Sequence, residues 1–167
     1  MGRGFPGPGV RVRIGHGFDA HPFAAGRPCV LGGVAIPSDV GPLAHSDGDV
    51  VLHALADALL GAAAAGDLGS TFGTDRPEWA NAPGEMLVKH VRDLTEHPEI
   101  GNVDVTILAS RPRVAEHREA MRANIAALLG TSADRVSVKA SSGNGLTDFG
   151  RGAGVAATVV VLVGDPA

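Results

Sequence analysis

Apolar and basic residues alternate from Val10 to Ile14 (V-R-V-R-I), the period of a strand with one buried face. A second short strand is expected over residues 29–36. From residue 48 the pattern changes to a nearly unbroken apolar run reaching residue 65, interrupted at Asp49, His53 and Asp57. Polar residues four apart predict a helix with one polar stripe, and Ser46 or Asp47 is placed to cap its start. A helix apolar on all its other sides is one that is buried. Leu87, Val91 and Leu94 predict a second helix over 84–96. Met121, Ile125 and Leu128 predict a third over 114–129, stopped by Gly130. Strands are expected over 103–109, 135–140 and 155–163, the last with the continuous apolar run of a buried strand. Residues 66–83 and 141–154 read as loops rich in glycine. Strands alternating with helices imply an α/β (α+β) sandwich, a mixed sheet with βαβ units and helices on one face.

Composition sharpens this picture in a few places. At 167 residues the chain suits one domain over 10–167, with residues 1–9 (M-G-R-G-F-P-G-P-G) as a flexible tail. It holds 24 Gly and 11 Pro, yet 44% of its residues are hydrophobic, so disorder does not explain the excess. The glycines belong in turns, or where backbone approaches something closely. Net charge is −4, which argues against a nucleic-acid groove. The longest apolar run is about half a membrane span. One cysteine, Cys29, cannot form an internal disulfide, and no apolar leader is visible. The expectation is a cytoplasmic protein with a small-molecule ligand, and neither nucleic acid nor membrane as partner.

The candidate chemistry lies early in the chain. Four of the seven histidines (His16, His21, His45 and His53) fall within the first 53 residues, interleaved with Asp19, Asp47 and Asp49. Asp19 and His21, two apart, share one face of extended backbone. With His53 from the helix they make three nitrogen and oxygen ligands with a fourth position open, the pattern of catalytic rather than structural zinc. Each residue alone reads more simply as a turn aspartate or a hydrogen-bonded core histidine; together the two halves favour the metal. The loop A-H-S-D-G (44–48) runs into the helix, where its amides could face a phosphate. G-D-L-G (66–69) carries Asp67, which could accept from a sugar hydroxyl. Both loops also read as plain caps.

R-I-G-H-G-F-D-A-H (13–21), H-S-D-G-D-V-V-L-H-A-L-A-D-A-L-L-G-A (45–62), G-D-L-G (66–69) and G-N-V-D-V-T-I (101–107) resemble the 2-C-methyl-D-erythritol 2,4-cyclodiphosphate synthase family. The resemblance covers nearly the whole chain from Val10 onward. It implies a homotrimer with active sites at subunit interfaces, and a phosphorus–oxygen lyase of the non-mevalonate isoprenoid pathway. In that reaction the 2-phosphate of 4-diphosphocytidyl-2-C-methyl-D-erythritol 2-phosphate attacks the β-phosphorus and CMP leaves. The resemblance assigns one Zn2+ per subunit to Asp19, His21 and His53. It gives phosphate and erythritol contacts to His45 and Ser46, the diol to Asp67 and Gly69, and a further substrate-side position to Asp57. Residues 109–115 become the cytidine pocket, with Ala109, Val114 and Ala115 reading cytosine through backbone groups. Arg113 stands there where the family usually has lysine. Ser142 and Asn144 fall in the family's magnesium loop, and Phe18, Phe149 and Arg151 at a central cavity.

The late loop departs from that pattern. Where the family reads T-T-T-(E/D)-x-L-G-F-T-G-R-G-E-G, this chain has S-S-G-N-G-L-T-D-F-G-R-G-A-G (141–154). The acid that holds Mg2+ or Mn2+ becomes Asn144, a neutral and weaker ligand for a hard cation. Asp148 is a candidate replacement. Ala153 takes the place of the acid that follows Arg151, which is expected to leave Arg151 unpaired. F-G-T-D-R-P-E-W (72–79) also replaces the common F-P-D-T-D. Three functions follow: the family's synthase, a zinc-dependent paralogue acting on another CDP-linked substrate, or a non-catalytic trimer binding nucleotide or isoprenoid phosphates. The complete zinc triad argues against the third.

Overall fold

In the computed structural model, which describes residues 12–73, 82–96 and 98–164, a mixed five-stranded sheet carries its helices on one face. The tail at 1–9, Val10 and most of 72–79 lie outside the described residues. The strands are β1 (Val12–Ala25), β2 (Val30–Leu31), β3 (Val34–Ala35), β4 (Val40–Pro42), β5 (Glu99–Leu108), β6 (Val136–Ser141) and β7 (Gly154–Gly164). The helices are α1 (Val50–Ala63), α2 (Leu68–Phe72), α3 (Gly84–Leu94) and α4 (Arg118–Leu129). The order in the large sheet is β4-β1-β7-β5-β6, and β2 and β3 form a separate hairpin. Among the described residues only β5 and β6 pair in parallel, with α4 as their crossover, so the expected βαβ units reduce there to one. The pairs of β1 with β4 and β7, and of β5 with β7, are antiparallel.

Alternation decides which face is buried. Val155, Ala157, Val159, Val161 and Val163 of β7 point with Val103, Val105, Ile107, Val136 and Val138 into one core. That core is closed by Leu52, Leu55 and Leu59 of α1 and by Met121, Ile125 and Leu129 of α4. α1 is buried along nearly its whole length, as its apolar run requires, because the sheet covers one side and α3 another. The opposite face of the sheet is open within the chain. Ile14 is 69% exposed, Phe18 53% and Val160 41%. The run at 155–163 therefore does not mark a strand buried on both faces by its own chain.

Several boundaries differ from the sequence expectation for identifiable reasons. The first strand runs on to Ala25, through Gly15 and Gly17, which interrupt its apolar alternation. The stretch 29–36 folds as a hairpin, because Gly32 and Gly33 take left-handed conformations between β2 and β3. The expected loop at 66–83 contains α2, nucleated by a capping box between Asp67 and Ser70. Residues 115–117 form a 3-10 turn ahead of α4. Leu94 ends α3 exposed, and Val88 packs in the core instead.

Candidate metal centre and active site

The register between β1 and α1 assembles the site. Gly15 and Gly17 lie against the helix backbone: a Cβ on Gly15 would stand 1.7 Å from the Ala58 carbonyl oxygen, and one on Gly17 1.9 Å from that of Ala54. Two residues of strand advance about 6.6 Å and four residues of helix about 6 Å. The next inward position on the strand is Asp19, and it meets His53, the neighbour of Ala54 on that helix. His53 Nδ1 is 2.9 Å from Asp19 Oδ2, and His21 Nε2 is 3.1 Å from the same oxygen. One ligand atom from each of the three residues lies within 4.8 Å of the others. His53 is buried, while Asp19 and His21 are partly open, so a cation held here keeps an accessible side. Two imidazoles and one carboxylate fit a zinc-type ion with a free position.

These groups also satisfy one another directly. Burial opposes ionisation of Asp19, but hydrogen bonds to His21 and His53, with their charges, outweigh it and hold the carboxyl far below its usual range. Burial likewise disfavours a charged His53. The Asp19 and Asp47 carboxylates prevail and raise its pKa from 6.5 to about 9. A buried cationic imidazole beside an ionised carboxylate is a centre that a metal enters by displacing a proton.

The far side of His53 faces two more groups. Nε2 lies 3.4 Å from Ser46 Oγ and 3.5 Å from Asp47 Oδ1. Asp47 Oδ1 also accepts from Asp49 N at 3.1 Å, and its Oδ2 from Gly84 N, the first residue of α3, at 2.8 Å. These bonds overcome the effect of burial and lower its pKa.

The stripe Asp49, His53 and Asp57 serves three purposes instead of one. Asp49 is fully buried and accepts from Val51 N and Leu52 N as the cap of α1, the role expected of Ser46 or Asp47. It also accepts from Gly32 N at 2.8 Å and Gly33 N at 2.6 Å, fastening the β2–β3 turn. Burial nonetheless raises its pKa to about 6. Asp57 accepts from Leu68 N at 2.8 Å and thereby positions α2. Two of the amides ahead of α1 are used within the loop: Gly48 N donates to Ser46 Oγ and Asp49 N to Asp47. His45 is exposed in the same loop.

Arg27 was missed by sequence reading. Its guanidinium donates to the carbonyls of Pro42, Ala44 and Ser46, pinning the loop that carries His45 and Ser46. Nothing in its local sequence marks it, because its partners lie 15 to 19 residues away. Asp67 is exposed and caps α2, accepting from Ser70 N at 2.7 Å, with Gly69 one residue inside the helix. In the segment 109–115, Ala109 and Val114 are buried, and Arg113 and Ala115 are exposed. Ala109 N donates to Ser141 O, Ser110 N to Phe149 O, and Arg111 to Gly152 O, so this segment is tied to the 141–154 loop.

In that loop Ser142 Oγ accepts from Asn144 N at 3.4 Å, and Asn144 sits exposed in a left-handed turn between Gly143 and Gly145. Arg151 is paired, contrary to the sequence expectation: it donates to Asp148 Oδ1 at 2.7 Å and to Gly145 O at 3.0 Å. Asp148, the candidate replacement for the missing acid, thus pairs with Arg151 through Oδ1. Phe149 is half-buried, and Phe18 lies on the open face of the sheet.

The sequence matches the YgbB family model over residues 12–164. It is 52% identical over 154 residues to a curated protein from Marinobacter nauticus named 2-C-methyl-D-erythritol 2,4-cyclodiphosphate synthase, covering 91% of this chain and 97% of that one. The structure resembles the bifunctional IspDF of Campylobacter jejuni with a TM-score of 0.89 and 36% identity, covering 95% of this chain. It spans 44% of that longer protein. It also resembles a 2C-methyl-D-erythritol-2,4-cyclodiphosphate synthase in its CDP-bound form, with a TM-score of 0.81 and 36% identity over 90% of this chain and 99% of that one.

Proposed function

The chain belongs to the YgbB family, and we propose that it acts as a 2-C-methyl-D-erythritol 2,4-cyclodiphosphate synthase. In this reading it cyclises 4-diphosphocytidyl-2-C-methyl-D-erythritol 2-phosphate and releases CMP. One observation carries the reading: Asp19, His21 and His53 converge on a single open-sided centre in a chain similar along its length to enzymes of that name. No feature of the fold favours the paralogue or the non-catalytic trimer.

An oxygen of the 2-phosphate bonds to the β-phosphorus, the bond from that phosphorus to the α-phosphate oxygen breaks, and CMP departs with the electron pair. The attacking phosphate is already ionised, so the protein need not supply a general base. Its task is to bring two anions together. A zinc ion held by Asp19, His21 and His53 would supply Lewis acidity at a phosphate oxygen. His45 and Ser46, on the loop pinned by Arg27, hold the phosphates and the erythritol chain. Asp67, ionised and exposed, accepts from the diol beside Gly69, and Asp57 fixes the start of the helix that presents them. Ala109, Val114 and Ala115 read the cytosine with backbone groups, and Arg113 places a cation near the diphosphate.

At the position of the family's acid the 141–154 loop offers a hard cation such as Mg2+ or Mn2+ the neutral Asn144 beside the Ser142 hydroxyl, while Asp148 Oδ1 accepts from Arg151. A cation there would be held mainly by diphosphate oxygens.

The open apolar face of the sheet, with Ile14, Phe18 and Val160, supports a homotrimer in which copies cover one another and active sites form between them. Phe149 and Arg151 would then lie toward its central cavity. No described helix is long and apolar enough to cross a membrane, and the lone buried Cys29 fits a reducing cytoplasm.

The test is to incubate the purified protein with the proposed substrate, zinc and magnesium, and to follow CMP and cyclic diphosphate by phosphorus NMR. Both products are expected. Absence of CMP at every magnesium concentration would overturn the reading.

A further inference from the structure

The carboxylate of Asp47 stands behind the buried histidine of the metal centre. His53 turns Nδ1 toward Asp19, with 2.9 Å between that nitrogen and Oδ2, and turns Nε2 toward Ser46 Oγ at 3.4 Å and Asp47 Oδ1 at 3.5 Å. A neutral imidazole carries one ring proton. If that proton sits on Nε2, the lone pair of Nδ1 is free for a metal; if it sits on Nδ1, the ligand is lost. The acceptor behind Nε2 therefore decides whether His53 can ligate.

Of the two candidates, Asp47 is anionic and cannot donate, whereas Ser46 is neutral and can do either. Asp47 is also fixed from two directions. Its Oδ1 accepts from Asp49 N at the entry to α1, and its Oδ2 accepts from Gly84 N at the start of α3. Two backbone amides on different elements thus aim one carboxylate at one imidazole. Asp49, nearer to His53 on the helix, spends its oxygens on backbone amides of Gly32, Gly33, Val51 and Leu52.

We propose that Asp47 is a positioning residue for the metal centre: it holds the ring proton of His53 on Nε2 and so presents Nδ1 to the ion. This rests on the reading of Asp19, His21 and His53 as metal ligands and adds the group that sets the tautomer of one of them. Partners of this kind are worth about 10- to 100-fold in metal affinity.

The substitution that reverses the polarity is Asp47→Asn. Its carboxamide oxygen can still accept from Gly84 N, while its NH2 faces Nε2 and favours the wrong tautomer. Zinc affinity of the metal-stripped protein, measured by competition with a chromophoric chelator, is expected to fall at least tenfold. The d–d spectrum of the cobalt-loaded variant is expected to shift, while the far-ultraviolet circular dichroism of the metal-free variant matches wild type and so shows that the fold is kept. Wild-type affinity together with an unchanged cobalt spectrum would overturn the proposal.

Nitrogen-15 NMR of zinc-loaded wild-type protein tests it independently of how any variant folds. A proton on Nε2 of His53 is expected, and a proton on Nδ1 overturns it. Failure of the wild-type protein to bind zinc at all would remove the metal-site reading and this inference together. Zinc binding that is indifferent to Asp47 would remove this inference alone.

Discussion

Gly17 on β1 lies so close to α1 that a Cβ added to it would stand 1.9 Å from the carbonyl oxygen of Ala54. With Gly15, placed in the same way against Ala58, it sets the depth at which the helix seats on the strand. That depth brings Asp19 within hydrogen-bonding distance of His53. Gly17→Ala must push backbone away from backbone, since no flexible side chain can give way. The expected cost is about 3 kcal/mol or more, the upper end of overpacking penalties, with loss of stoichiometric zinc. Urea denaturation and metal analysis read both, and a variant with normal stability and full zinc content contradicts this account of the register.

The ligand assignment has a direct check. Asp19→Ala and His53→Ala should each leave the purified protein without zinc by elemental analysis. Full zinc retained by both variants would refute it.

Asp49 gathers four amides from two elements while fully buried. Asp49→Ala strands those donors and removes the cap of α1. The expected destabilisation is about 3 kcal/mol, combining a lost cap with unpaired buried N–H groups. Chemical denaturation that detects less than about 1 kcal/mol, the value of a single ordinary hydrogen bond, would show that the amides find other partners.

The metal-free protein should weaken in alkali. The pKa of His53 rises on folding from 6.5 to about 9, so its contribution is complete below pH 6.5 and disappears as the pH climbs through about 9. The shift corresponds to something on the order of 3 kcal/mol. Zinc requires the neutral ring, so its affinity should rise across the same window. Denaturation midpoints of chelator-stripped protein that stay level between those two pH values count against the charged His53.

Asn144→Glu should lower the magnesium concentration needed for half-maximal CMP release, because it restores a hard anionic ligand to the loop. Asp148→Asn should leave that concentration unchanged, since Asp148 is engaged by Arg151. A magnesium requirement that responds to Asp148 and not to position 144 reverses the assignment.

The helical stripe and the Asp19–His21 pair were readable from spacing alone, because both periods, two in a strand and about four in a helix, are local properties of the backbone. The same logic misjudged the ends of elements. Gly15 and Gly17 carry no apolar side chain, so β1 seemed to stop before them, although their lack of a side chain is what lets the strand continue beneath a helix. Asp49 and Asp57 were rightly marked as polar groups needing partners, but those partners, the Gly32–Gly33 turn and Leu68 N, are set by folding. The pairing of Arg151 with Asp148 was missed, although only three residues separate them, because it depends on a tight turn in which Arg151 N donates to Thr147 O and Asp148 O.

By itself the sequence determined the alternation of strands and helices, the burial of α1, the three metal-ligand candidates and the family resemblance. Each of these rests on residue type and short spacing. The tertiary structure decided which nitrogen of His53 faces Asp19, which acid stands behind it, and that the Gly48 and Asp49 amides are spent within the loop before α1. It also decided which face of the sheet stays open within the chain. These outcomes depend on contacts between residues far apart in the chain, where a shift of one strand residue or a third of a helical turn changes the partner. Close packing of β1 on α1 through two glycines fixes that register.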